Sequence, residues 1–479
     1  MADDLRTDLF IGGTWQSATD GDRMEVHDPA TEEVIATVAS GGADDARRAA
    51  QAAAAAQPEW AATAPRERGE VLRRAWALMT ERAEDLARLI TLENGKVLAE
   101  SRGEVAYAAE FFRWFSEEAV RLSGEVSTAP AGTNRILVLR QPVGVAYLVT
   151  PWNFPAAMAT RKIGPALAAG CSVVLKPASL TPLTALAIGE VLQEAGVPDG
   201  VVNVVPGRSA STITAEVLEH PAVRKLSFTG STEVGKILLE QAAQRVLKTS
   251  MELGGNAPFI VLADADLDAA VEGAMLAKMR HNGETCTAAN RFYVEAPVAE
   301  DFTRRLAEAM GRVRMGHGLE EGVGLGPLVD AATRDKVRDL VDAAVGHGAH
   351  PVVGGTPGDG PGFWYPATVL EGVAPDSPIL AEEIFGPVAP IVAVDDAEEA
   401  VALANDTPLG LVSYLFTGDL RRGLALAERL EAGMVGLNRG LVSDPAAPFG
   451  GVKESGLGRE GGHEGLLDFT EAKYVATEW

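Results

Sequence analysis

The chain has 479 residues, 23% of them charged, and a formal net charge of −25. The composition is that of an ordinary soluble globular protein, and the excess of acidic groups argues against nucleic acid or a basic membrane-docking face as partners. Two cysteines are too few for a disulfide framework and favour a reducing, cytoplasmic setting. The acidic start does not resemble a signal peptide, and no apolar run approaches the ~18 residues of a membrane span.

The first part of the chain predicts a short hairpin, then helices, then β structure. The segment "LFIGGTWQSA" is hairpin-like, and helical periodicity dominates residues 44–122. Pro65 suits the first turn of a helix. The segment "RILVLRQPVGVAYLVT" then gives two β-rich runs on either side of Pro142 and Gly144.

Strands and helices alternate in the rest of the chain. The runs "VAYLVT", "SVVLKP", "VVNVVPG", "KLSFTG" and "LKTSMELGG" are separated by helical segments, which predicts a parallel, doubly wound α/β sheet. A second α/β region follows over residues 256–437, with its own strands in "APFIVL", "RFYVEA", "APIVAV" and "GMVGLN". We therefore predict two linked α/β domains.

Ligands of open α/β sheets bind beyond the carboxyl ends of the strands, and three loops there carry polar or glycine-rich sequence. In "FTGSTEVG", Gly230 and Gly235 stand between a strand and a helix, where backbone N–H groups could approach a pyrophosphate. The alternative is a tight turn that needs glycine for packing. A literal G-x-G-x-x-G at residues 456–461 follows no strand of a βαβ unit and is rejected as a nucleotide fingerprint.

The two cysteines lie in different surroundings. Cys171 is inside the apolar run "AAGCSVVL", which is typical of a core residue. Cys286 lies between two threonines in "HNGETCTAANRF", where a thiol could meet a substrate. From this stretch alone, a nucleophile and an inert cysteine are equally good interpretations.

Taken together, the loops resemble the aldehyde dehydrogenase superfamily in order and spacing, over nearly the whole chain. Within it, "RKLSFTGSTEVGK" and "APFGGVKESGLGREG" are most similar to the succinate-semialdehyde dehydrogenase branch. The motifs that carry the family resemblance are "TPWNFP", "LKPAS", "FTGSTEVG", "MELGGNAP", "GETC" and "EEIFGPV".

This resemblance implies the aldehyde dehydrogenase fold, with two doubly wound α/β domains and a small β extension for oligomerisation. The nucleotide-binding domain is expected at residues 1–126 and 142–253, and the catalytic domain at 254–440. The extension is expected at 127–141 and 462–479, and the protein is expected to form a homodimer or homotetramer.

The chemistry implied is oxidation of an aldehyde through a covalent adduct on Cys286. A cysteine thiolate makes the sp³ adduct from which hydride leaves, and a thioester remains on the sulfur. By resemblance, Asn153 supplies a side-chain amide to the oxyanion, with the Cys286 backbone N–H as second donor. Glu252, in "MELGGNAP", matches the base that activates water. No metal is expected.

The resemblance also assigns cofactor-binding residues. Lys176 is expected at the adenosine ribose, and Glu383 and Phe385 at the nicotinamide ribose and ring. Many NAD-preferring relatives carry an acidic residue where this chain has Ser179, so we expect NADP to be favoured, with NAD still used. The complete expected set is Thr150, Pro151, Trp152, Lys176, Ser179, Gly230, Ser231, Gly235, Leu253, Glu383 and Phe385.

Substrate choice is expected to rest on arginines, since a carboxylate in a closed pocket needs charged partners. Arg161, Arg280 and Ser443 match the residues that hold the substrate carboxylate in the succinate-semialdehyde branch, which favours succinate semialdehyde. Taken singly, each arginine could instead form a structural salt bridge. Arg439, where relatives carry other residues, could suit another anion, such as glutarate semialdehyde or a sulfonated aldehyde.

One alternative from a different class is a thiol hydrolase or acyltransferase, in which a histidine activates Cys286. His281 is the nearest candidate, but nothing in the sequence orients it, and the phosphate-binding loops would be unexplained. An acylating dehydrogenase would have no need of Glu252, so water is the expected acceptor.

Overall fold

The structure, a computed structural model, describes residues 5–358 and 360–478. Residues 1–4, 359 and 479, which the predicted domains include, lie outside the described residues. The strands are, in chain order, β1 (Leu9–Ile11), β2 (Thr14–Gln16), β3 (Arg23–His27), β4 (Val34–Ala39), β5 (Glu125–Thr128), β6 (Arg135–Pro142), β7 (Val145–Val149), β8 (Val173–Lys176), β9 (Val202–Val204), β10 (Val223–Thr229), β11 (Lys248–Glu252), β12 (Ala257–Val261), β13 (Ala289–Glu295), β14 (His350–Val353), β15 (Thr368–Glu371), β16 (Val388–Val394), β17 (Leu409–Gly410), β18 (Val412–Phe416), β19 (Met434–Leu437), β20 (Val452–Lys453), β21 (Gly456–Leu457) and β22 (Thr470–Thr477).

The helices are α1 (Ala43–Ala62), α2 (Pro65–Glu81), α3 (Ala83–Asn94), α4 (Leu98–Glu118), α5 (Pro155–Ala169), α6 (Pro182–Glu194), α7 (Ala210–Glu219), α8 (Thr232–Ala243), α9 (Leu267–Met279), α10 (Ala296–Gly311), α11 (Ala331–Gly346), α12 (Ala397–Asn405), α13 (Leu420–Ala427) and α14 (Gly462–Leu467). Short 3-10 turns cover Ala119–Arg121, Arg280–Gly283 and Pro378–Leu380. The predicted helical region and the helix start at Pro65 are confirmed. Within the described residues, no helix has both the length and the apolar character needed to cross a bilayer.

The first sheet has the order β2-β1-β9-β8-β7-β10-β11-β21. Its central strands, from β9 to β11, pair in parallel and are the five strands that the sequence predicts. The register aligns Val149 with Lys176 and with Phe228, and Thr229 with Glu252. The loops after these strands therefore meet at one edge, as the parallel arrangement requires.

The second sheet has the order β14-β15-β16-β13-β12-β18-β19, and its strands from β15 to β19 pair in parallel. Only residues 253–256 separate the carboxyl end of β11 from the amino end of β12. The carboxyl edge of the first sheet therefore lies against the amino edge of the second sheet. Cys286 stands just before β13, at that amino edge.

A third sheet pairs β22 with β6 and β6 with β5, all antiparallel. The hairpin starts at Glu125, two residues before the predicted extension, and α14 precedes the final strand. Apolar side chains are exposed on this sheet, among them Val126 and Tyr474. The division of the chain into domains stays a prediction, because the sheets overlap its boundaries: β21 joins the first sheet from outside the nucleotide-binding segments.

Helix α5 is buried along its whole length and begins directly after the "TPWNFP" loop. Pro155 occupies its first turn, and Gly170 ends it with φ 96°, a left-handed conformation that favours glycine. Its small residues let it pack closely, but it also carries Arg161 and Lys162 into the interior. Two buried cations need a partner, and the C-terminal segment supplies one in Glu460.

Candidate active site

A cavity of about 250 Å³ lies between the two sheets, where the carboxyl edge of the first meets the amino edge of the second. It collects side chains from both sheets and from the loop after β19. The predicted site residues in its wall are Pro151, Trp152, Asn153, Arg161, Gly230, Ser231, Leu253, Arg280, Cys286, Glu383, Phe385 and Ser443.

Asn153 lies in the loop between β7 and α5, and its side chain is buried. Its Nδ2 donates a hydrogen bond to the backbone oxygen of Glu284, 2.9 Å away, in the turn that precedes Cys286. The bond uses one of the two amide hydrogens. The second is left for an oxyanion formed beside Cys286.

Cys286 is half-buried in the turn between the 3-10 segment Arg280–Gly283 and β13. Its backbone oxygen packs on Gly255, where an added Cβ would lie only 2.2 Å from it. Gly283 has φ 78° and packs against the backbone of Gly386, where an added Cβ would lie 2.3 Å from the Gly386 oxygen. Burial raises the pKa of the Cys286 thiol to about 12, so the resting group is protonated.

Glu252 ends β11 with its side chain buried, and neither carboxylate oxygen has a hydrogen-bond partner among the described residues. It is not part of the cavity wall, and its Oε1 lies so near Gly450 that an added Cβ there would be 2.8 Å from it. Burial, and then the carboxylate of Glu460, raises the pKa of Glu252 well above its usual value. A carboxyl group with a raised pKa is a stronger base once it is ionised.

Arg161 forms a structural salt bridge and also lines the cavity, so it has features of both roles that the sequence leaves open. Its Nε lies 2.6 Å from Glu460 Oε2, a buried ion pair, and its guanidinium carbon lies 4.2 Å from the centre of the Phe449 ring. The same side chain lines the cavity. Burial alone would lower the pKa of Arg161, but Glu460 and, to a smaller extent, Tyr107, Glu252 and Cys286 together raise it, so the guanidinium stays charged.

Arg280 follows α9, and its guanidinium carbon lies 5.2 Å from the centre of the Phe154 ring. No carboxylate of residues 5–358 or 360–478 forms an ion pair with it. It lines the cavity together with Ser443 and is therefore the guanidinium free to bind a substrate anion. Arg439 is exposed and lies outside this wall.

The expected cofactor residues lie along the carboxyl edge of the first sheet. Lys176 ends β8, and burial lowers its pKa to about 8. Ser179, three residues on, is half-buried. Thr150 follows β7, and Gly235 packs so closely on Leu253 that an added Cβ would lie 2.4 Å from Leu253 Cδ2. Thr150, Lys176, Ser179 and Gly235 lie outside the wall of the cavity around Cys286.

Two of the expected cofactor residues, Glu383 and Phe385, lie instead in the segment before β16 of the second sheet, and both line the cavity. Glu383 Oε1 accepts a hydrogen bond of 3.2 Å from the Gly255 amide, and burial raises its pKa to about 7. Phe385 has φ 58° and meets the Trp152 ring edge-on, with 5.4 Å between ring centres. The two loops that hold these aromatic rings therefore support each other.

The sequence analysis missed several residues of the wall. Tyr107, on α4, lines the cavity with its hydroxyl buried and without a hydrogen-bond partner in the described part of the chain. A tyrosine within the apolar run "AYAAEFF" was the one available signal. The remaining missed wall residues are Phe154, Met158, Thr229, Gly254, Thr285, Thr287, Thr333, Lys336 and Phe449.

His281 does not serve as a base for Cys286. Its Nδ1 lies 2.7 Å from Lys96 Nζ, and its ring stacks on Phe154 at 3.8 Å. Burial lowers the pKa of His281 well below its usual value. The structure therefore removes the main support for the hydrolase alternative. Cys171 is buried with its thiol on the Phe469 oxygen, as expected of a core residue.

Comparison with known proteins gives one consistent result. The model of the aldehyde dehydrogenase family matches residues 15–475. A succinate-semialdehyde dehydrogenase of Paenarthrobacter nicotinovorans is 56% identical, over 92% of this chain and 98% of that protein. A glutarate-semialdehyde dehydrogenase of Pseudomonas aeruginosa is 50% identical, over 98% of this chain and 97% of that protein. The crystal structure of an NADP-dependent enzyme of Escherichia coli is 46% identical, with a TM-score of 0.98, over 100% of this chain and 99% of that one.

The chain therefore belongs to the aldehyde dehydrogenase family and has its fold. The family resemblance and the fold that the motifs predict are confirmed. The protein is an oxidoreductase that acts on aldehydes, with NAD or NADP as the class of cofactor.

The state of the Cys286 thiol can be tested by alkylation. In the protein without cofactor, we expect the rate of iodoacetamide labelling at Cys286 to rise tenfold per pH unit from pH 6 to at least pH 9, because the thiolate fraction does so below a pKa of about 12. Mass spectrometry of the labelled peptide measures the rate, and Cys286→Ala gives the background. A plateau below pH 8 would contradict this.

Proposed function

We propose that the protein oxidises succinate semialdehyde, a short aldehyde with an anionic far end, to the dicarboxylate, with NADP favoured and NAD also used. The observation that carries the proposal is the single cavity in which Cys286 and Asn153 face the unpaired guanidinium of Arg280. A nucleophile, an oxyanion donor and an anion-binding group are thus placed around one substrate-sized volume.

The residues present fit a nicotinamide dinucleotide. Gly230 and Ser231 lie between β10 and α8, and the Ser231 hydroxyl caps the helix by accepting from Val234 N, 3.3 Å away. Gly230 and Ser231 share the cavity wall with Glu383 and Phe385. These groups would hold the nicotinamide end beside Cys286, while Lys176 and Ser179 would hold the adenosine end. When bound, the cofactor supplies the hydride acceptor.

The first step requires a thiolate, and burial of Cys286 reduces the fraction of the thiol that is ionised. The sulfur attacks the aldehyde carbon, a C–S bond forms, and the carbonyl electron pair moves onto oxygen. The Asn153 amide and the Cys286 N–H would donate to this oxyanion; the removal of one such donor typically costs about 10²–10³ in rate. Arg161, the first group after burial to affect the thiol, favours the thiolate.

The second step releases the acid. After oxidation, the acyl group is a thioester on Cys286, which water must attack. Glu252 would turn from its position beside Gly450 and take a proton from that water. Its lack of hydrogen-bond partners leaves it free to move, and its raised pKa makes it an effective base.

Replacement of Glu252 by Gln should separate these two steps. We expect a burst of about one reduced cofactor per site, followed by turnover about 10²–10⁴ slower than in the wild-type protein, because the general base is lost. Stopped-flow absorbance at 340 nm measures both phases, and Cys286→Ala should show neither. Wild-type turnover in Glu252→Gln would overturn the assignment of the base, and activity in Cys286→Ala would overturn that of the nucleophile.

The preference for NADP is proposed from Lys176 and Ser179. A carboxylate beside the adenosine ribose would repel a 2′-phosphate, and this chain has a hydroxyl instead, three residues after a lysine. The crystal structure of the NADP-dependent enzyme from Escherichia coli, 46% identical, supports the same preference.

Substitution Ser179→Glu should shift the ratio of kcat/KM for NADP and NAD toward NAD by about tenfold or more, an effect of at least ~1.4 kcal/mol. Charge repulsion of the 2′-phosphate is the reason. Ser179→Ala, which adds no charge, is the matched control and should move the ratio much less. A wild-type preference for NAD of about tenfold or more would refute the proposal.

The substrate proposal depends on two arginines with unequal roles. Arg280 is unpaired and free for the far carboxylate, while Arg161 is already held by Glu460 and adds its charge from the wall. A neutral aldehyde would leave Arg280 without a partner. A hydrogen bond to a charged group contributes roughly 1.5–3 kcal/mol, so two arginines could discriminate by about 10²–10⁴.

Substitution Arg280→Ala should lower kcat/KM for succinate semialdehyde by about 10- to 100-fold and change that for butanal by less than about threefold. Arg161→Ala should also lower the melting temperature, because Glu460 loses a buried partner. Steady-state kinetics and thermal unfolding measure these effects. Arg439→Ala, an exposed arginine outside the wall, is the control. Equal losses on both aldehydes in Arg280→Ala would disprove the anion pocket.

A longer anionic aldehyde is the second candidate. Arg280 and Ser443 also line a neighbouring cavity of about 560 Å³, which gives room beyond the guanidinium. The glutarate-semialdehyde dehydrogenase of Pseudomonas aeruginosa, 50% identical, supports this alternative. A comparison of kcat/KM for succinate, glutarate and sulfonated semialdehydes decides between them.

We also infer a homodimer or homotetramer in the cytoplasm. The sheet of β5, β6 and β22 supports assembly, because its exposed apolar side chains, Val126 and Tyr474 among them, would be covered by a second copy. The two free cysteines support a reducing compartment.

A further inference from the structure

Lys96 lies between α3 and α4, and its side chain is fully buried next to the active-site cavity. Its Nζ donates to three acceptors: Glu104 Oε2 at 2.6 Å, the backbone oxygen of Asn153, and His281 Nδ1 at 2.7 Å. It also lies 4.7 Å from the centre of the Phe154 ring. An ammonium group has three N–H donors, so each of them is used.

The bonds to Glu104 and to Asn153 hold the loop that carries the oxyanion amide. The other carboxylate oxygen of Glu104 accepts from the backbone N–H groups of Ala156 and Ala157, at 2.9 and 3.2 Å, in the first turn of α5. Lys96 therefore binds the Asn153 loop directly, at the Asn153 carbonyl, and is connected through Glu104 to the first turn of α5.

The bond to His281 holds the other half of the site. His281 has φ 53° in the turn before Cys286, and its backbone oxygen accepts from Glu284 N at 2.8 Å. The Glu284 oxygen in turn accepts from Asn153 Nδ2. The contacts close a circuit from Lys96 through Asn153, Glu284 and His281 back to Lys96.

Burial and neighbouring charges act on the protonation states in this circuit. Burial lowers the pKa of Lys96, and the carboxylate of Glu104 opposes that shift. The pKa of His281 lies well below its usual value because of burial, and Lys96 and Arg280 lower it further. A neutral imidazole can accept at Nδ1 and carry its proton on Nε2. Glu104 faces the ammonium at 2.6 Å and pairs with its charge in the interior.

We propose that Lys96 is a positioning residue for the oxyanion donor, which fixes the Asn153 amide relative to the turn that carries Cys286. The inference deepens the proposed function and rests on its assignment of Cys286 as nucleophile and Asn153 as donor. Lys96 contacts both segments at once, although Asn153 belongs to the first sheet and Cys286 to the second. Without this tie, the amide would no longer be held where charge develops, and a displacement of about 1 Å can cost 10²-fold in rate.

The test uses the full-length protein without cofactor and an activated ester, p-nitrophenyl acetate. Attack of Cys286 forms the C–S bond and breaks the ester C–O bond, the thiol proton goes to solvent, and p-nitrophenolate leaves. This reaction needs the same oxyanion donor but neither hydride transfer nor the substrate arginines. We expect Lys96→Met to lower the saturating acylation rate constant by about 10- to 100-fold, while the half-saturating ester concentration changes by less than about twofold.

A double-mutant cycle separates positioning from a general structural role. If Lys96 acts through Asn153, then Lys96→Met should change the acylation rate constant by less than about threefold in the Asn153→Ala background. An equal loss in both backgrounds, or no loss with Asn153 present, would overturn the proposal. Cys286→Ala should remove the burst of p-nitrophenolate and so show that the signal comes from this thiol.

Two further variants keep the test decisive. Lys96→Met leaves the Glu104 carboxylate buried and unpaired, so the double variant Lys96→Met/Glu104→Gln replaces the single variant in the test if the single variant fails to fold.

Lys225→Met is the matched control, since Lys225 is also buried, pairs with Asp468 at 3.3 Å and lies 5.1 Å from the Phe469 ring centre. Its acylation rate should stay within about twofold of the wild-type value, and a loss as large as that of Lys96→Met would refute a specific role.

The two proposals fail in different ways. If no anionic aldehyde is oxidised but the ester burst and its dependence on Lys96 remain, the proposed substrate is wrong and the positioning role stands. If succinate semialdehyde is oxidised and Lys96→Met acylates at the wild-type rate, the positioning role is wrong and the proposed function stands.

Discussion

The hydrogen bond from Asn153 Nδ2 to the Glu284 oxygen, 2.9 Å long, joins the two parallel sheets at the point where the chemistry takes place. The amide comes from the loop after β7 and the acceptor from the turn before β13, so their separation is fixed by tertiary packing and not by local conformation. Close backbone contacts maintain it on the second-sheet side. Gly255 admits the Cys286 carbonyl, and Gly283 admits the backbone of Gly386. A methyl group at either position would collide with these backbone atoms, so the turn that carries Cys286 would have to shift.

Several charged side chains are buried in the same region. Arg161 and Lys162 enter the core on α5, and Glu460, from the C-terminal segment, forms an ion pair with each of them. These cations hold the pKa of Glu460 below its usual value, although burial alone would raise it. Glu252 receives no such partner, and burial and Glu460 raise its pKa. Two neighbouring carboxyl groups therefore acquire opposite tendencies, which is how one protein interior provides both a fixed charge and a proton acceptor.

The sequence predicted those features whose cause is local, and it predicted them well. Alternating strands and helices predicted the five parallel strands of the first sheet, and the family motifs contain part of the cavity wall, including Asn153 and Cys286. Contacts between distant segments were not predictable in this way. Lys96 lies 185 positions before His281, and Glu460 lies 298 positions after Lys162. The segment "ENGK" does not indicate that Lys96 will be buried beside His281, and "GREG" does not indicate that Glu460 will be buried beside Lys162. Such burial depends on how the whole chain packs.

In the proposed function, Arg280 would give this fold affinity for an anion, although the protein has a net charge of −25. At distances beyond about 10 Å, salt screens the surface charge, so the acidic exterior matters little once the substrate has entered the cavity. What would count there is a cation that forms no ion pair with a carboxylate of the described residues, although Glu100 lies near enough to interact with the charge of Arg280. The charge of Arg161 is partly balanced by its ion pair with Glu460. Arg280 instead contacts the Phe154 ring, which attracts a guanidinium without neutralising its charge. Phe154 adjoins Asn153 in sequence and also stacks on His281, so the ring that orients the anion-binding group belongs to the framework that aligns the oxyanion donor with the nucleophile. Substrate selection and transition-state stabilisation therefore share one rigid support, and a change at that ring would disturb both.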